Sequence, residues 1–204
     1  LPAKIASSHR NVVEVPVDGV SPPLTRCPMN PRWTTLGGLN DGGIVALQDG
    51  TDIVRIASGG TVEPPRKLDL GDEKATISFA RYALPGDGAI LLHAFAYGPK
   101  GYYYKVGVLD LKAARVTYLL DDGGYPVYSR TGHIVFTRGD SLLAVPFDAG
   151  KLKVTGTPVP LAKGLRTQFS FQPARFQLSD DGVLVHQTGG PTADGGRAGL
   201  VPGG

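Results

Sequence analysis

The chain has 204 residues, 41% of them hydrophobic, with 29 glycines, 17 prolines and a formal net charge of +3. That charge is too weak a field for a nucleic-acid binder, which would carry a basic stripe with interleaved aromatics, and the longest basic run is Arg66-Lys67. The single cysteine, Cys27, rules out an intrachain disulfide and leaves the compartment open, and no apolar stretch approaches the roughly 20 residues of a membrane-spanning helix.

Strand-like runs follow one another along the chain. Residues 11–17 end in the turn signal Asp18-Gly19. Residues 44–48 read as a buried run, and 52–57 follow it. The stretch 76–83 alternates, and 89–97 is apolar nearly throughout, as an inner strand covered on both faces would be. Residues 102–109 and 115–120 complete that group. The runs 125–128, 134–137, 141–147 and 153–161 make the next group, and 171–178 with 183–187 begin another. Helical periodicity is nearly absent, and 110–115 reads as a hairpin connection. Pro16, Pro146 and Pro158 fall within β-runs, which predicts edge strands there.

One turn phrase recurs. Asp41-Gly42-Gly43-Ile44-Val45, Asp87-Gly88-Ala89-Ile90-Leu91, Thr131-Gly132-His133-Ile134-Val135 and Asp181-Gly182-Val183-Leu184-Val185 each join a tight turn to an apolar β-run. Aligned on Gly43, Gly88, Gly132 and Gly182, they lie 45, 44 and 50 residues apart. A period near 45 with β-patterning in each unit is the signature of a β-propeller. The expected fold is therefore all-β, a single propeller domain over 1–204 of about four blades, or a partial arc of a larger propeller. Blades are expected near 31–70, 75–121 and 122–163. The strands of 168–188 and 10–26 are expected to share a composite blade that closes the ring, leaving a Gly-rich tail at 189–204.

The stretch from Tyr125 through Ser129, Gly132, Leu142-Leu143-Ala144-Val145 and Pro146-Phe147-Asp148 resembles the repeat of TolB-like, WD-repeat-like bacterial propellers. Residues 152–161 and 176–185 continue that pattern. The whole is similar to the sensor propellers at the C-termini of bacterial serine/threonine kinases, over roughly residues 10–190. The proline of the family's turn phrase is replaced by Arg130 and Thr131 in one unit and by Asp180 in another. The resemblance implies a binding or scaffolding module, often extracytoplasmic, and carries over no catalytic residue. No kinase motif is present in these residues.

The chemistry-bearing residues are sparse. Ser129 and Ser179 lie in the turn phrase and read as turn formers. No G-x-S-x-G elbow occurs. The histidines His9, His93, His133 and His186 share no short ligand spacing, so no metal site is expected. His93, His133 and His186 recur at related positions, and His93 with His133 could line a channel. Asp121-Asp122 and Asp180-Asp181 precede glycines and suit Asx-turn capping better than calcium. Trp33 is expected to pack between blades. Tyr97, Tyr102, Tyr103 and Tyr104 form an aromatic patch, with Tyr102 and Tyr104 on one strand face and Tyr103 on the other.

These features lead to the expectation of a non-enzymatic, protein-binding or scaffolding propeller without catalytic residues, cofactor or metal. It would be an accessory or peripheral subunit, partnered by other protein subunits, with a membrane-associated complex among the options, and would lie in the periplasm or otherwise outside the cytoplasm. The patch Tyr97, Tyr102, Tyr103 and Tyr104 would be its protein interface. Two alternatives stay open: an extracytoplasmic ligand-sensing propeller, and a hydrolase or lyase with a channel-mouth site at His93 and His133.

Overall fold

The computed structural model describes residues 4–7, 11–15, 18, 20–71, 75–99, 101–165, 176–179, 182–189 and 198–201. The described elements are all strands, in five sheets. Strands β1 (Lys4–Ser7), β2 (Asn11–Val15) and β3 (Leu24–Pro28) make the first. Strands β4 (Trp33–Gly38), β5 (Ile44–Gln48), β6 (Asp52–Ile56) and β7 (Arg66–Lys67) make the second. The third is β8 (Ala75–Ala83), β9 (Ala89–Gly98), β10 (Gly101–Asp110) and β11 (Arg115–Leu120). The fourth is β12 (Gly124–Ser129), β13 (His133–Arg138), β14 (Ser141–Asp148), β15 (Lys153–Val154) and β16 (Val159–Ala162). The last is β17 (Phe176–Leu178), β18 (Leu184–Gln187) and β19 (Ala198–Val201). In every sheet sequence neighbours are sheet neighbours, with β15 and β16 both pairing with β14.

The chain divides into two compact units, residues 1–90 with 109–117, and residues 91–108 with 118–204. In the first unit the core joins Val12 and Cys27 to Trp33, Ile44, Ala46, Val54 and Ile56, with Met29 packed against them. Trp33 thus fills space between the β1–β3 and β4–β7 sheets. All five residues of β5 are buried, which explains its unbroken apolar run: both faces are covered. Beyond β7, Asp69 forms a parallel bridge to Arg115, with Asp69 N–H donating to Ala114 O (2.9 Å) and Val116 N–H to Asp69 O (2.8 Å). A β-carbon on Gly71 would come within 2.7 Å of Val116 O, so this close backbone approach needs glycine.

In the second unit the core lies along β13 and β14, where Ile134, Phe136, Leu142 and Val145 are fully enclosed. The structure corrects the placement of Pro146, which lies in β14, an interior strand paired with β13 on one side. On the other side β16 pairs with residues 142–144 and β15 with 147–148. Pro146 falls between them, and its carbonyl accepts from Thr155 N–H (2.9 Å) on that outer side. Its missing N–H therefore costs no bond to β13. Pro16 lies outside the described residues.

The recurring turns share one hydrogen-bond pattern. Gly42, Asp87, Gly132 and Gly182 donate to Leu39, Leu84, Ser129 and Ser179 carbonyls at 3.0–3.2 Å. All four have left-handed φ, of 80°, 54°, 80° and 89°. The equivalent positions are therefore 45, 45 and 50 residues apart, one residue earlier in the first two turns than the glycine alignment gives. In the second turn an aspartate occupies the left-handed position. Its carboxylate accepts Asn40 N–H and side-chain amide (both 2.7 Å) and Asp41 N–H (2.9 Å), tying one turn to the preceding one.

Candidate functional site

Gly123 and Gly124 open β12 and bring its backbone against β9 and β10. Gly123 N–H donates to Tyr104 O (3.2 Å), and Thr137 Oγ1 donates to Gly124 O (3.1 Å). Tyr125 N–H donates to Nδ1 of His93 at 2.9 Å. A β-carbon on Gly123 would stand 2.7 Å from the Phe136 ring of β13 and one on Gly124 would stand 2.8 Å from the His93 ring of β9, so the doublet is what permits the approach. Tyr125 has φ 52°, and the β12–β13 register shifts between Gly124 and Val127. A bulge with a bulky residue in the left-handed region is strained, and such strain concentrates at functional sites.

His93 lies at the centre of this arrangement, 2% exposed. Its ring centroid is 4.4 Å from that of Tyr125 and 4.8 Å from that of Tyr104. Because Nδ1 accepts a backbone N–H, the neutral imidazole carries its proton on Nε2. Burial lowers its pKa to about 4, so it is uncharged at neutral pH. Tyr125 is pushed up to about 12, first by burial and then by the neighbouring Tyr104, and stays a protonated phenol. Near neutral pH the cluster is therefore an uncharged one, with proton-bearing His93 and Tyr125 beside Tyr104.

The aromatic residues singled out in the sequence divide between two faces. Tyr97 (67% exposed) and Tyr102 (58%) meet edge to face at 5.1 Å, with Phe95 at 5.9 Å from Tyr102. Strand alternation puts Tyr104 on the same face as Tyr102, where it joins His93. Tyr103 faces away, toward Lys105, whose Nζ is 5.8 Å from its ring, 4.7 Å from that of Tyr118 and 3.1 Å from Asp121.

His133 does not join His93. It pairs with Ser129 at the far end of β12, where its Nδ1 lies 3.1 Å from both the hydroxyl and the carbonyl of Thr131. Four residues of strand separate Ser129 from Tyr125, roughly 13 Å. The idea of His93 and His133 converging is thereby corrected: one is the core of a buried cluster and the other a turn residue. His186 is buried on β18 opposite Phe176. Sequence reasoning missed Gly124 and Tyr125, for which the Gly-Gly doublet was the available signal. The pair Asp180-Asp181 lies outside the described residues. Among those described, no three His, Cys, Asp or Glu side chains gather to hold a metal ion.

No protein-family model and no curated protein matches the sequence. Solved structures do. A luciferin-regenerating enzyme superposes with a TM-score of 0.56 at 12% identity, over 88% of this chain and 62% of its own. A glucose dehydrogenase gives 0.52 at 14%, over 83% and 64%. An oligogalacturonate lyase in complex with manganese gives 0.51 at 10%, over 88% and 68%. The chain thus spans about two-thirds of the length of these neighbours.

At such identities the likeness establishes the fold, which is all-β and of the propeller class. It does not single out the TolB-like type among propellers. It also overturns the expectation of a non-enzymatic scaffold or accessory subunit, because the similar structures are enzymes.

Proposed function

We propose that this chain is a catalytic propeller of the hydrolase or lyase type, acting on a sugar-derived substrate at His93, Tyr104 and Tyr125. The observation that carries this reading is the bond from Tyr125 N–H to His93 Nδ1, which fixes the imidazole as neutral with its proton on Nε2. Such an imidazole is a hydrogen-bond donor rather than a base, because its one lone pair is engaged. Uncharged donors held in buried surroundings suit a reaction in which negative charge develops on a carbonyl or carboxylate oxygen. Ester opening and elimination beside a carboxylate are both of that kind. Tyr125, kept protonated by its surroundings, adds a phenol O–H of the same character.

The sugar-derived substrate is argued from two sides. The face leading to His93 is aromatic, and two of the similar structures are a glucose dehydrogenase and an oligogalacturonate lyase. Within the propeller class, the phrase from Tyr125 to Asp148 supports a TolB-like repeat, with Gly132 at the left-handed turn position and Pro146-Phe147-Asp148 closing β14.

The test is a turnover assay on sugar lactones, followed by proton release, and on oligogalacturonates, followed by formation of an unsaturated product. His93→Leu and Tyr125→Phe, which each remove a donor and are each checked for a native unfolding transition, should lower kcat by about 100-fold. Inactivity of the parent on both substrate classes overturns the proposal, as does full activity of both folded variants.

A further inference from the structure

The rings near His93 do not end at the buried cluster. On β9 the face that carries His93 also carries Phe95 and Tyr97, and on β10 it carries Tyr102 and Tyr104. The contacts Phe95–Tyr102 and Tyr97–Tyr102 extend toward the hairpin tip as His93–Tyr104 extends inward. Exposure rises along this row, from 2% at His93 to 67% at Tyr97. The row itself is uncharged: from His93 to Tyr97 and from Tyr102 to Tyr104 this face carries no Asp, Glu, Lys or Arg, the aspartate of the same face, Asp110, closes β10 at its other end, and Lys105 lies on the other face with Tyr103. From His93 to Tyr97 is four strand residues, roughly 13 Å, the length of about two to three linked sugar rings.

We infer that Tyr97 and Tyr102 form a stacking subsite for the distal rings of an oligosaccharide whose reacting end lies at His93, Tyr104 and Tyr125. This rests on the catalytic reading given above. Sugar rings offer C–H faces that lie against aromatic surfaces, with hydroxyls at their rims. Tyrosine matches both, with an apolar ring and a polar tip. Gly101 has φ 99°, and a β-carbon on Gly98 would lie 3.1 Å from Tyr103 Cε1 on the opposite face of the hairpin.

Calorimetric titration with galacturonic acid and its dimer and trimer, and with glucose, cellobiose and cellotriose, tests this directly. In at least one series the Kd should tighten with length, by about tenfold from monomer to trimer, as two aromatic contacts would give. The double variant Tyr97→Ala, Tyr102→Ala should bring the trimer back to monomer affinity while the monomer changes by less than about twofold. Both side chains are exposed, so the variant should fold, and its unfolding midpoint checks this. Affinity independent of length in both series, or a trimer affinity untouched by the double variant, overturns the subsite. Trimer binding through Tyr97 and Tyr102 without turnover would leave the subsite standing and remove the catalytic reading. Turnover of a lactone without length dependence would do the reverse.

Discussion

A β-carbon on Gly124 would stand 2.8 Å from Cε1 of His93 and 3.0 Å from its Nδ1. Neither partner has room to yield, since the imidazole is buried and Gly124 is bonded through its carbonyl to Thr137. Gly124→Ala should therefore destabilise the protein by about 1–3 kcal/mol, the usual range for overpacking. Adding His93→Ala should give a double variant less destabilised than the sum of the two single ones, because the methyl enters the space the ring vacates. Urea unfolding of the four proteins measures that coupling.

Acid should weaken the fold through His93. The unfolded imidazole takes up a proton near 6.5, whereas the folded one resists until about 4. Between those values the unfolded chain binds more protons, so stability falls as pH falls and is fully present above the upper value. The loss attributable to this residue is about 3 kcal/mol when the window has been crossed. His93→Gln keeps an acceptor for Tyr125 N–H and does not titrate. Unfolding free energies measured at several pH values through the window should slope less for this variant than for the parent.

Asp87 combines a left-handed backbone with three bonds to the preceding turn. Asp87→Gly loses the bonds but fits the backbone, and should cost about 1–2 kcal/mol. Asp87→Ala loses the bonds and adds left-handed strain, and should cost about 1 kcal/mol more. A thermal melt in which the alanine variant matched or exceeded the glycine variant would contradict this order.

Lys105 is enclosed between the Tyr103 and Tyr118 rings, whereas its partner Asp121 is 83% exposed. The rings and the buried stem, rather than the ion pair, should carry its contribution. Lys105→Ala is expected to cost about 2 kcal/mol and Asp121→Asn less than about 1. Chemical denaturation of the two variants separates the contributions.

Much of the fold was legible because strands and turns are local. Alternation and Asp-Gly signals delimit β5, β9, β13 and β14 without knowledge of their neighbours. The exact turn alignment was not, because glycine is only one route to a left-handed residue. Asp87 takes it by bonding to Asn40 and Asp41, a relation across more than forty residues. Pro146 was misread for a similar reason: nothing local says that the outer neighbour of β14 comes in two pieces. The site was the least legible part. His93 and Tyr125 are 32 residues apart, and a Gly-Gly pair announces a close approach without naming what approaches. His133 and His93 both follow a recurring turn, yet His133 comes one residue after Gly132 and His93 six after Asp87, so the two stand at different heights of their strands and meet different neighbours.

The Asp87 carboxylate has a consequence for the chain as a set of repeats. A propeller unit that ends in a plain glycine turn can be copied, moved or deleted with little regard to what precedes it. A unit that reads its predecessor through Asp87 cannot, because its turn is complete only beside an Asn-Asp tip such as Asn40-Asp41. The side chain works as an address written into one loop and read by the next. It makes the order of these two units part of the folding instruction, so that swapping their loops should cost more than changing either one alone.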